Sequence, residues 1–121
     1  MQNAKQDLRE RTKAFALRII KLSASTNKHS EEARIISRQL LKSGTSIGAN
    51  YAEATRARSK AEFISILGIS LREAEESLYW IELLESADIV TEKSIEPLRA
   101  ETRELIAILV TSINTTKKPS R

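Results

Sequence analysis

Phe63, Leu67, Ser70, Ala74, Ser77, Ile81 and Leu84 recur at alternating steps of four and three residues. None of them is charged, while Glu62, Arg72, Glu73, Glu75, Glu76, Glu82 and Glu85 fill much of the remaining stretch. This period lays one dry stripe along a helix of about six turns, the geometry of a bundle or coiled-coil seam. A seam so rich in serine and alanine packs by close approach of backbones, which suits a chain only 4% aromatic.

The rest of the sequence repeats the pattern. Leu8, Thr12, Phe15, Ile19 and Leu22 share a face of a first helix over about 4–24. Ser30, followed by Glu31 and Glu32, is an N-cap with acidic residues in the first turn. A second helix, about 30–58, has Ile36, Leu40, Ser43, Ile47, Asn50 and Ala54 as its seam. Gly44 and Gly48 lie inside it at about 1 kcal/mol each against Ala. The apolar period passes through both without a phase jump, so the helix is read as continuous. Gly44, Gly48 and Ala52 then form a strip that admits a neighbouring helix closely.

Ser59 and Glu62 make a capping box that starts a third helix over about 60–87. A fourth spans about 91–114, with Pro97 favouring Ser94 over Thr91 as its N-cap. Residues 115–121 read as a frayed basic tail. The expectation is one all-α domain over 1–121, an antiparallel up-down-up-down four-helix bundle with short connections.

Composition narrows the function classes. There is no Cys, hence no disulfide and no thiolate metal site. The single histidine, His29, lies in a polar connection beside Lys28 and Ser30, a poor setting for a catalytic base. Glu73 and Glu76, and Glu82 and Glu85, offer carboxylates at i, i+3, but no helix carries the histidine that a bundle di-iron site uses. No nucleophile elbow, phosphate-binding glycine loop or zinc-protease motif occurs. The reading is a non-enzyme without cofactor or metal. No secretory h-region and no run of 18 apolar residues is present, so a cytoplasmic protein that does not cross a membrane is expected.

Charge is unevenly spread within the net +4. Residues 1–29 hold seven Lys/Arg against two Asp/Glu, and residues 60–90 hold two against seven. Two clusters of cations are candidate phosphate contacts: Arg9, Arg11, Lys13 and Arg18 on the first helix, and Arg56, Arg58 and Lys60 at the turn after the second. Asn50 and Glu53 are a polar cluster beside that turn. Tyr79 and Trp80 are adjacent, so one must leave the seam, and a large aromatic on the flank of an acidic helix is a candidate oligomer anchor. Few aromatics remain for base stacking, which argues against sequence-specific single-strand recognition. The basic segment could alternatively neutralise acidic helices, within the chain or in a neighbouring copy.

Specific strings carry a family resemblance. Phe15 to Ile20, Gln39 to Ala54, Arg56 to Phe63 and Glu73 to Trp80 resemble the four-helix-bundle proteins encoded in intervening sequences of bacterial large-subunit ribosomal RNA. The most specific part is Ser43 to Glu53, and the likeness covers roughly residues 8–113. The resemblance implies an antiparallel four-helix bundle assembled as a homopentamer. A similar bundle is the accessory variability determinant of diversity-generating retroelements, a basic pentamer that associates with reverse transcriptase and nucleic acid. By that analogy RNA or DNA, and a protein partner such as a reverse transcriptase, are expected partners. The alternative is a structural or protein-binding scaffold with no nucleic-acid role.

Overall fold

The computed structural model describes residues 4–119, with side chains from residue 8 onward. It contains four helices and, among the described residues, no strand: α1 (Ala4–Thr26), α2 (Glu31–Ala54), α3 (Lys60–Ser86) and α4 (Glu92–Lys117). α2 packs on α1 and on α3, α3 packs on α4, and α1 touches α4 more lightly.

The α3 ladder is buried as its spacing requires. Leu67, Ser70, Ala74, Ser77, Ile81 and Leu84 are all inaccessible, and Phe63 is half-buried against them. Phe15, Ile19, Leu40, Ile47, Leu105 and Leu109 close the core from the other helices. Hydroxyls thread it: Ser70 donates to the Ile47 carbonyl at 2.7 Å, and Thr26 and Ser37 share a buried hydrogen bond. Each such bond satisfies a polar group that burial would otherwise leave costly.

α2 is continuous through both glycines. A Cβ on Gly44 would lie 2.8 Å from Ile19 Cγ1, and one on Gly48 would lie 2.9 Å from Thr12 Oγ1. The small-residue strip is therefore the seat of α1.

The end of α2, both ends of α4 and the capping geometry of α3 differ from the sequence reading. α2 stops at Ala54, not near residue 58, with Thr55 as C-cap. Thr55 Oγ1 donates to the Ala52 carbonyl at 2.7 Å, and Ser59 must be extended to cap α3, which leaves 55–59 as a connection. Glu62 completes the cap one residue earlier than a capping box, accepting from the Arg58 N–H at 2.7 Å. α4 begins after Thr91, whose Oγ1 accepts from the Ser94 N–H at 3.1 Å, so Pro97 lies inside the helix just past its first turn. α4 also continues to Lys117, and residues 120 and 121 lie outside the described part.

The α2 seam is also rotated slightly at its ends. Tyr51 is buried and Asn50 only half-buried, and Ser37 is fully buried while Ile36 packs against the core half-buried. α3 ends in a Schellman closure: Asp88 takes φ 61, and Ile89 N–H donates to the Leu84 carbonyl at 2.9 Å.

Candidate nucleic-acid interface

One end of the fold is built where α1 starts, α2 ends, α3 starts and α4 ends. Leu8, Tyr51, Phe63, Ile108, Ser112 and Thr116, one or more from each helix, line a hollow of about 340 Å³ there. This places the 55–59 connection and the last turn of α4 beside the early turns of α1. Arg9, Arg56, Arg58, Lys60, Lys117 and Lys118 are all exposed at this end. The carboxylates of the same region, Glu10, Glu53 and Glu62, are also exposed.

Local structure explains why the cations gather. Ending α2 at Ala54 puts Arg56 and Arg58 on the connection, and Lys60 opens α3. The Tyr51 phenol is pushed above its ordinary pKa by burial, and the nearby Arg9 charge opposes that shift. Arg9 is thus within electrostatic reach of the Tyr51 phenol.

The remaining candidates on α1 separate. Arg11 is bound within the chain: its Nε and Nη2 donate to both Glu101 oxygens at 3.1 and 2.7 Å, and Nη2 also reaches Glu104 at 2.9 Å. These two carboxylates raise its pKa still further. Lys13 is exposed and, with Arg9, rims a shallow groove of about 260 Å³ floored by Thr12, Ala16, Thr45, Gly48, Ala49 and Ala52. Arg18 is exposed further along, and nine residues from Arg9 place it on the opposite side of α1. Only Arg9 of the first-helix set therefore stands with Arg56, Arg58 and Lys60.

The polar pair beside the turn has separate environments. Asn50 donates its amide N–H to the Ser46 carbonyl at 2.8 Å, and Glu53 is exposed. Trp80 is half-buried against the core and donates Nε1–H to Glu76 at 3.0 Å. Tyr79, in edge contact with it at 4.9 Å, is the outward member, 56% exposed. The sequence reading missed Lys117 and Lys118 as members of the basic end, although their place in a basic tail was visible.

Carboxylates of α3 are neutralised by cations of α4. Arg99 pairs with Glu85 and Glu96, and Arg103 with Glu82 at 3.5 Å. α1 and α3 are not packed on each other, so the basic first helix leaves the acidic third one untouched within a chain. Among the described residues no cluster of His, Cys, Asp or Glu is arranged to hold a metal ion, and no helix is long and apolar enough to cross a membrane.

A model of the 23S rRNA-intervening sequence proteins matches residues 4–111. The chain belongs to this family. It is also similar to a solved structure described as a protein of unknown function from the S23 ribosomal protein family of Bacteroides thetaiotaomicron VPI-5482. The two share 35% identity over 91% of this chain and 97% of that one, with a TM-score of 0.85. No curated protein matches at a significant level. Within the Ser43–Glu53 string, Ser43, Gly44, Ile47 and Gly48 carry contacts of α2 with α1 and α3.

Proposed function

We propose that this intervening-sequence protein is a non-enzymatic, self-assembling bundle that binds structured RNA, or another nucleic acid, through its phosphates. The observation that carries the reading is the gathering of Arg9, Arg56, Arg58 and Lys60 at one end of the fold, exposed and beside the Lys117–Lys118 pair. Exposed cations of this kind neutralise phosphates and release counterions without reading bases. Arg11 serves the contact with α4, and Arg18 lies on the side of α1 opposite Arg9.

The bundle is read as up-down-up-down and antiparallel, consistent with connections of a few residues between successive helices. Assembly as a homopentamer is part of this reading, supported by the likeness to the family. Five copies multiply the net +4 of one chain to +20, so weak phosphate sites act together. A protein partner such as a reverse transcriptase, and a cytoplasmic location, belong to the same reading.

A second reading is favoured by Tyr79, exposed on the acidic side of α3: the chain is a protein-binding scaffold whose charges serve assembly. Titration of a fluorescent structured RNA with the purified protein, at low and moderate salt and with the assembly mass measured in the same buffers, separates the two. RNA binding that weakens steeply with salt, and a shallower salt slope in Arg56→Gln/Arg58→Gln, are expected. An intact assembly that binds no RNA at low salt leaves the scaffold.

A further inference from the structure

Gly44 and Gly48 are accounted for by the approach of α1, but Gly68 has no such neighbour. It stands in the interior of α3, and a Cβ added there meets no atom within 4 Å. A helix-interior glycine is less favourable than alanine because it loses more backbone freedom on folding. The monomer bears that cost and gains no contact from it.

From Gly68 the helical period leads to Arg72, Glu75 and Tyr79, at i+4, i+7 and i+11, all on the side of α3 away from its buried seam. Tyr79 is 56% exposed there. Glu75, Glu76 and Glu82 surround it and are exposed, so this face repels a nucleic acid. An occupant that fits must be a protein surface, apolar along its middle and cationic at its edges.

The chain itself has such a surface. On the outward side of α1, Leu17 is 53% exposed and Ile20 47% exposed. Lys13 and Lys21, one turn either side of Leu17, are exposed as well. Each face carries one charge of the other sign, Arg72 on α3 and Glu10 on α1, which leaves the overall complementarity intact. Because α1 and α3 of one chain do not pack on each other, the two faces cannot meet within a molecule.

We propose that the outward face of α3 around Gly68 and Tyr79 seats the outward stripe of α1 from a second copy. Leu17 and Ile20 lie against Gly68 and Tyr79, and Lys13 and Lys21 turn toward Glu75, Glu76 and Glu82. The two faces differ, so the contact is heterologous and closes into a ring when the rotation permits. This rests on the reading that the chain assembles with itself. It also assigns Lys13 to the neighbour, leaving phosphate contacts to the basic end.

The chain has no cysteine, which permits a direct test. Full-length Leu17→Cys and Tyr79→Cys proteins are mixed and oxidised, and Gly68→Leu is weighed by sedimentation beside the wild type, with helicity checked by circular dichroism. A disulfide-linked heterodimer that forms in preference to either homodimer, together with a drop in assembly mass for helical Gly68→Leu, is expected. An assembled wild type whose mass Gly68→Leu leaves unchanged overturns the docking site while the assembly reading stands. A mass drop without the mixed disulfide overturns α1 as the occupant. A wild type that is monomeric at every concentration removes the assembly reading and this one with it.

Discussion

Ser77 on α3 donates its hydroxyl to Ser43 on α2 at 2.9 Å, with both side chains almost wholly buried. The single Ser77 proton is shared with the Glu73 carbonyl one turn back, at 2.8 Å. Two serines at a helix contact do two jobs: they are small enough for close approach, and they satisfy each other. Ser77→Ala keeps the size and loses one buried hydrogen bond, an expected cost of about 1 kcal/mol. Ser77→Leu adds two heavy atoms to a filled seam and is expected to cost about 1–3 kcal/mol. Urea denaturation of both variants checks the order. A Leu variant as stable as the Ala variant would mean that the α2–α3 contact is loosely packed.

The three glycines separate close approach from simple helix propensity. Gly44→Ala drives a methyl into the fully buried Ile19, and Gly48→Ala into Thr12. Each is expected to lose about 1–3 kcal/mol despite the better helix former. Gly68→Ala meets nothing in the chain and is expected to gain up to about 1 kcal/mol in the dissociated protein. Thermal unfolding in dilute solution distinguishes the two signs, and stabilisation by Gly44→Ala would refute the packing argument.

Arg99 and Glu85 form an unequal pair. The Arg99 side chain is 10% exposed and Glu85 28% exposed, while Glu96 holds the other Arg99 nitrogen from a more open position at 3.3 Å. Arg99 Nε is buried and, among the described residues, has no partner. Removing the carboxylate strands a buried cation, whereas removing the cation leaves a carboxylate that water can reach. Glu85→Gln is therefore expected to cost on the order of 2 kcal/mol, and Arg99→Met less. Equal losses in denaturant midpoint would show that the pair acts as an ordinary surface contact.

How far these features could be read from the sequence depended on whether they are periodic or pairwise. The α3 seam was legible in full because every buried position there lies on one 3-4 ladder of uncharged residues. The α2 glycines were legible as a contact strip for the same reason, although not which helix would fill it. Asn50 was taken for the seam where Tyr51 belongs, since period alone does not resolve a one-residue rotation near a helix end. Arg99 sits between Ile95 and Thr102 at seam spacing, yet its charge argued against burial. Glu85, on another helix, makes burial tolerable together with the more open Glu96. Arg11 looked like a free cation because its carboxylates come from α4, ninety positions later. At the candidate site, the Arg56–Arg58–Lys60 knot was visible in the string itself, while its proximity to Arg9 and Lys117 required the fold.

Glu73 gives the fold a pH dependence of unusual sign for a carboxylate. It is half-buried, and burial first, then the neighbouring Glu76, raise its pKa above the ordinary value, with Lys42 and Arg72 opposing. The folded state therefore binds this proton more tightly than the unfolded chain does. The stabilising contribution is present below the unfolded value and is lost as pH rises through the folded one. At neutral pH the ionised side chain weighs against folding, so Glu73→Gln is expected to be more stable than wild type there. Below both values the difference should vanish, because the wild-type side chain is then neutral too. Denaturant midpoints of the two proteins between pH 3 and pH 8 measure this difference. A Gln variant less stable at pH 7 would show that attraction to Lys42 outweighs the burial of the charge.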